Sequence, residues 1–181
     1  MYTHLAGRFS DPAMVTTHFH IREGDVVADF GAGSGHFMKP LSRVVGKSGT
    51  VYLCEIQKTL VEALDIQARE AGLSNVRVVW GDVEVIGGTK LKDISVDIVI
   101  LSNVLFQSTD KPTLFLEVSR VLRKGGKLFI IDWSSSFAGL GPQPEHIISE
   151  SDARRLAEQA GFTYERSIPA GEHHYGLALR K

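Results

Sequence analysis

Gly31, Gly33 and Gly35 occupy alternate positions directly after the apolar run Val26-Val27-Ala28-Asp29-Phe30. Backbone this bare either adopts positive φ or admits a ligand very close to the chain. An apolar run that enters a helical pattern through such a turn is a strand feeding a helix, the usual place for a ligand loop in an α/β sheet. A dinucleotide fingerprint needs its third glycine one residue later, where this chain has His36. A pyrophosphate asks for bare amides at a helix N-terminus, whereas this loop suits a nucleoside carrying a zwitterionic amino-acid tail.

Three carboxylates accompany the loop. Asp29 ends the first apolar run, Glu55 ends Val51–Glu55 some 20 residues past the glycines, and Asp82 follows the third run in Gly81-Asp82-Val83. In an open parallel sheet the ligand lies outside the carboxyl ends of the strands. Glu55 there accepts both hydroxyls of a ribose; the plain alternative is a solvent-facing glutamate at a strand end. Asp82 accepts from the exocyclic amine of adenine while Ile56 and Val83 offer apolar surface to its faces. An aspartate after a glycine is also ordinary turn chemistry. Asp29 reads as an anchor for the loop amides or as a contact to the ligand's amino group, and the two roles are compatible. Together these residues point to S-adenosylmethionine rather than NAD.

Short runs rich in Val, Ile and aromatics predict strands at Val26–Phe30, Val51–Glu55, Val76–Trp80, Val96–Leu101 and Lys127–Asp132. Helices are predicted near His36–Val45, Thr59–Ala71 and Lys111–Leu122. Leu60, Leu64, Ile66 and Ala71 form the apolar face of the second, and Lys124-Gly125-Gly126 closes the third with a basic turn and a glycine cap. This alternation predicts an α/β fold, a parallel sheet with helices on both faces. After a helix at Ser151–Ala160, strands near Thr163–Ile168 and Tyr175–Leu179 are joined by a link too short for a crossover, so they pair antiparallel. No linker divides the chain, so residues 1–181 read as one domain.

With these motifs in place, the chain resembles the class I S-adenosylmethionine-dependent methyltransferases. Val96-Asp97-Ile98-Val99-Ile100-Leu101-Ser102-Asn103-Val104 is similar to that family's fourth-strand motif, and Arg120-Val121-Leu122-Arg123-Lys124-Gly125-Gly126-Lys127-Leu128 to its entry into strand five. The resemblance covers roughly residues 24–180 and is nearest to the branch holding small ubiquinone/menaquinone-biosynthesis methyltransferases. It implies a Rossmann-like three-layer sandwich whose seven-stranded, mostly parallel sheet carries an antiparallel last strand. It also implies a cofactor site on Asp29, Gly31, Ala32, Gly33, Ser34, Gly35, Phe37, Glu55, Ile56, Asp82, Val83 and Ser102. The implied reaction is in-line attack of an acceptor on the sulfonium methyl, in which orientation alone supplies as much as roughly 7–11 kcal/mol.

On the acceptor side, Asn103, Phe106 and Gln107 follow the fourth strand, and Asp132 and Trp133 end the fifth. Phe106 and Trp133 serve core packing as readily as a substrate. The chain has Ser102-Asn103-Val104-Leu105 where amide- and adenine-N6-methylating families carry Asn/Asp-Pro-Pro-aromatic, which argues against those acceptors. No residue stands out as a general base. His36 contacts the methionine tail or simply packs, and His146 and His173 are acid–base candidates on chemistry alone. The pairs His18-x-His20 and His173-His174 lack accompanying Cys or carboxylate ligands, so no metal is expected. Two segments are lid candidates, Ser134–Ile148 and residues 1–20, the latter alternatively covering the lower face of the sheet. The site is then open to a large acceptor or completed by a second subunit, as in a homodimer.

Twenty basic and twenty-one acidic residues leave a net charge of -1, which favours neither nucleic acid nor anionic membrane as partner. No apolar run reaches the roughly 20 residues of a membrane span, and the N-terminus lacks the order of a secretion signal. The single cysteine, Cys54, excludes an internal disulfide and fits a reducing, cytoplasmic setting. It also argues against arsenite chemistry, which needs several thiols. A small organic acceptor is the first expectation. A protein or RNA methyltransferase, a catalytically silent cofactor-binding subunit and a nucleotide-dependent oxidoreductase are the alternatives.

Overall fold

The computed structural model describes residues 11–137, 139 and 141–181. Its strands are β1 Val26–Phe30, β2 Thr50–Glu55, β3 Val76–Trp80, β4 Val96–Ser102, β5 Leu122–Trp133, β6 Thr163–Ser167 and β7 His174–Arg180. They form one sheet in the order β3-β2-β1-β4-β5-β7-β6. Every pairing from β3 to β5 is parallel, and β7 runs antiparallel to both β5 and β6. The predicted Rossmann-like sheet with an antiparallel last strand is therefore the observed one. Winding proceeds outward from β1 to β3, then resumes on the other side of β1 at β4. The carboxyl ends of β1 and β4 are thus the switch point where such sheets open a crevice.

The helices are α1 Pro12–Thr16, α2 Met38–Val45, α3 Lys58–Glu70, α4 Lys111–Val121 and α5 Glu150–Gln159. Strand side chains alternate between faces, so each strand feeds two apolar layers. Val27, Leu53, Ile100 and Phe129 pack with Leu41 of α2 and Leu64 of α3, while Phe30, Leu101, Ile130 and Leu177 pack with Leu114 of α4 and Ala153 of α5. Burial on both sides explains why β4 reads as a continuous apolar run.

Four local predictions are corrected. Helix α4 stops at Val121, because the buried Leu122 already pairs with Val96 in the sheet. The residues from Arg123 to Gly126 are then an irregularity within β5, and Gly125 turns at φ 76°. Helix α2 starts at Met38, so His36 sits in the preceding turn. In α3 only Leu64 and Ala68 are buried, and Ile66 is 47% exposed. From the N-terminal segment, Phe19 is buried and stacks on Phe37 and Phe129, so residues 11–20 cover the sheet rather than the crevice. Tyr2, His4 and Phe9 lie outside the described residues.

Candidate active site

The glycine loop is fastened to the end of β2. Gly31 and Ala32 donate their N–H groups to the Cys54 carbonyl at 2.8 and 3.0 Å, and Gly33 donates to Glu55 Oε2 at 2.9 Å. Glu55 Oε1 accepts from the amides of Ile56 and Gln57, each at 2.9 Å. Gly31, Gly33 and Gly35 all have positive φ, as the bare spacing predicts. A Cβ on Gly31 would lie 2.8 Å from Val104 Cγ2 of the segment after β4, so this glycine lets two strand ends close on each other. Gly35 has a different reason: a Cβ there would lie 2.6 Å from Leu64 Cδ2, which makes it a packing glycine against α3.

Two adjoining cavities follow the strand ends. The first, about 370 Å³, is lined by Gly31, Gly33, Glu55, Ile56, Asp82 and Val83, among others. The second, about 310 Å³, is lined by Asp29, Ala32, Ser34, Phe37, Ser102 and the acceptor-side residues Asn103, Phe106, Gln107 and Trp133. Gly31, Gly33 and Gln107 belong to both. Of the predicted site residues, Gly35 and Asp132 line neither cavity, and neither do the acid–base candidates His146 and His173. Asp132 is buried, and its carboxylate accepts from the amides of Leu105 at 2.8 Å and Trp133 at 2.8 Å. Strand alternation puts it on the α4–α5 side, whereas Trp133 points the opposite way. Burial pushes its carboxyl up to about 6, against the pull of the amides of Trp133, Leu105 and Phe106. It holds the acceptor-side loop from behind.

Sequence reasoning missed Gln57, Leu60, Glu84, Val104 and Thr109, which also line the first cavity. They belong to segments that leave three different strand ends, and no local pattern marks them. Cys54 lines this cavity too, yet burial and the nearby charges of Asp29 and Glu117 push its thiol up, so it is no nucleophile. In the second cavity the exposed His36 Nε2 lies 3.0 Å from Ser34 Oγ. Trp133 packs tilted against His174, and a Cβ at Gly141 would lie 2.9 Å from its ring, so the segment after β5 fixes its pose.

The donor set fits a nucleoside with an ammonium-bearing tail. Glu55 is 5% exposed and its two oxygens carry roughly four acceptor positions, of which three amides use three. Asp29 Oδ1 and Asn103 Oδ1 are buried with no hydrogen-bond partner, and both residues line the second cavity. Unpaired buried acceptors are rare and ask for a donor. Burial, then the Glu55 charge, pushes the Asp29 carboxyl up to about 7. The folded protein therefore holds a proton on Asp29 that the unfolded chain releases near pH 4. Stability present at low pH is lost as pH rises from about 4 to about 7, by on the order of 2–4 kcal/mol. Asp29→Asn removes this loss: measured against wild type, its ligand-free unfolding midpoint should gain steadily as pH rises from 4 to 7 and exceed wild type at pH 8. A difference between the two midpoints that stays constant from pH 4 to 8 contradicts the assignment.

A methyltransferase-domain family model matches residues 21–164. The chain belongs to that family. Its fold and cofactor are those of the class I S-adenosylmethionine-dependent methyltransferases. A methyltransferase of this kind from Aquifex aeolicus superposes with a TM-score of 0.88 at 28% identity, over 97% of this chain and 92% of that one. A ubiquinone/menaquinone biosynthesis C-methyltransferase of Haemophilus ducreyi is 31% identical over 115 residues, 63% of this chain and 43% of the relative. An arsenite methyltransferase of Aquipseudomonas alcaligenes is 31% identical over 160 residues, 81% of this chain and 46% of the relative. The methyltransferase chain thus spans less than half the length of these two relatives. No helix among the described residues is long and apolar enough to cross a membrane.

Proposed function

We propose that this chain transfers the methyl group of S-adenosylmethionine to a small, uncharged organic acceptor. The observation that carries the reading is the ring of carboxylates from three successive strand ends, Asp29, Glu55 and Asp82, around adjoining cavities floored by the glycine loop. In this reading the remaining acceptor position of Glu55 takes a ribose hydroxyl, and Ile56, Asp82 and Val83 take the adenine. Asp29, with Asn103, takes the ammonium of the amino-acid tail. Bound S-adenosylmethionine supplies an electrophilic methyl carbon on a sulfonium sulfur.

The protein's own part is positioning and exclusion of water. Phe37, Phe106 and Trp133 give the second cavity apolar walls, which raises the strength of every charge interaction inside it. No lysine or arginine among the described residues lines either cavity, so nothing there favours a carboxylate or phosphate acceptor. The ubiquinone/menaquinone biosynthesis relatives support a small organic acceptor. The test uses S-adenosylmethionine labelled in the methyl group, incubated with the protein and a small-molecule cell extract. A labelled low-mass product is expected. Label confined to protein or RNA, or no label on anything, contradicts the proposal.

A further inference from the structure

We infer that Glu84 is a positioning residue that couples the nucleoside cavity to the acceptor-side loop, residues 103–110, so that filling one orders the other. This rests on the cofactor reading above. Strands β3 and β4 are not neighbours, since β2 and β1 lie between them. The segments leaving their carboxyl ends nevertheless meet, and they meet on one carboxylate. Glu84 accepts from the Thr109 amide at 3.0 Å, the Thr109 hydroxyl at 2.8 Å and the Asp110 amide at 2.7 Å. Its own amide donates to Asp82 Oδ1 at 2.8 Å. A hydrogen-bonded chain therefore runs from Asp82 through Glu84 to Thr109, and all three residues line the first cavity.

The far end of this chain is the loop that walls the second cavity. Gln107 lines both cavities and donates from Nε2 to the Asn103 carbonyl at 2.9 Å. Asn103 itself sits at φ 57°, a left-handed conformation that asparagine adopts more readily than other non-glycine residues. The other end of the β3 segment is riveted differently. Glu117 of α4 is fully buried and accepts from the amides of Gly87 and Thr89. Glu84 is only half-buried, so its clasp is the end that opens to solvent. At the cavity end, away from the Glu117 rivet on α4, the two segments share order through this clasp and through whatever fills the cavity between them.

Hydrogen exchange tests this with S-adenosylhomocysteine, the demethylated product, as the probe. In wild type the probe should slow exchange both in the glycine loop, residues 31–37, and in residues 103–110. In Glu84→Ala it should bind about 5-fold or more weakly. At saturation it should still protect 31–37 but leave the amides of Thr109 and Asp110, which Glu84 holds in wild type, exchanging as in the free protein. Glu84→Gln keeps one acceptor oxygen and should give partial protection, with an unfolding midpoint close to wild type. If the alanine variant does not fold, Glu84→Gln and Thr109→Val, which removes only the hydroxyl bond, carry the comparison. Full protection of 103–110 in the variants overturns the inference while leaving the cofactor reading intact. Wild type that does not bind the probe overturns both.

Discussion

Glu55→Ala should reduce binding of S-adenosylmethionine and S-adenosylhomocysteine by more than a hundredfold, about 3 kcal/mol or more. The side chain does two jobs at once. It ties Gly33 to the end of β2 and is the acceptor we assign to the ribose. Truncation leaves the amides of Gly33, Ile56 and Gln57 without their acceptor. It also frees the glycine loop to drift from the strand end. Both ligands should weaken alike, because the ribose is common to them and the transferred methyl is not. Calorimetry on both ligands checks this. Glu55→Ala that binds either one as wild type does refutes the ribose assignment, and a loss confined to S-adenosylmethionine moves Glu55 to the sulfonium end.

Glu117→Ala should be the most damaging single truncation for the fold itself. Glu117 is fully buried and accepts from Gly87, from the amide and hydroxyl of Thr89, and from Arg120 Nε and Nη2 at 2.7 and 2.8 Å. Removing one member of a buried pair costs about 3–5 kcal/mol, because the partners stay behind without their charge. For a chain of this size that lowers the unfolding midpoint by roughly 10 °C. The pH dependence follows from the same contacts. Burial raises the Glu117 carboxyl, but hydrogen bonds from Arg120, Thr89 and Gly87 overcome it and hold it at about 2. A lowered acid contributes stability above its unfolded range near 4.5 and loses it as pH falls toward 2. The gap between wild type and Glu117→Ala should therefore be widest near pH 7 and shrink steadily below pH 4. A gap that is constant with pH would mean that the side chain packs rather than pairs.

What the sequence revealed and what it hid have one physical division. Runs such as Ile98-Val99-Ile100-Leu101 announce a strand buried on both faces, and the alternate glycines after Asp29 announce the turn, because each pattern reflects a local constraint. The cavity linings of Glu55, Ile56, Asp82 and Val83 follow from knowing where such strands end. Asp132 was misplaced because period-two alternation alone does not say which layer an end residue joins; its partners, Leu105 and Phe106, are more than 25 residues away. Leu122 was misread as helical because propensity favours it there, while its strand partner Val96 decides otherwise. Glu84 was invisible for the same reason: its carboxylate works across two intervening strands, a relation no local spacing records.

The structure of the protein crystallised with S-adenosylhomocysteine tests the account most directly. The nucleoside should lie in the cavity beside Glu55 and Asp82, with the amino-acid tail turned toward Asp29 and Asn103. Density for the nucleoside anywhere else, or a crystal that takes up NADH in this crevice and refuses S-adenosylhomocysteine, would contradict it.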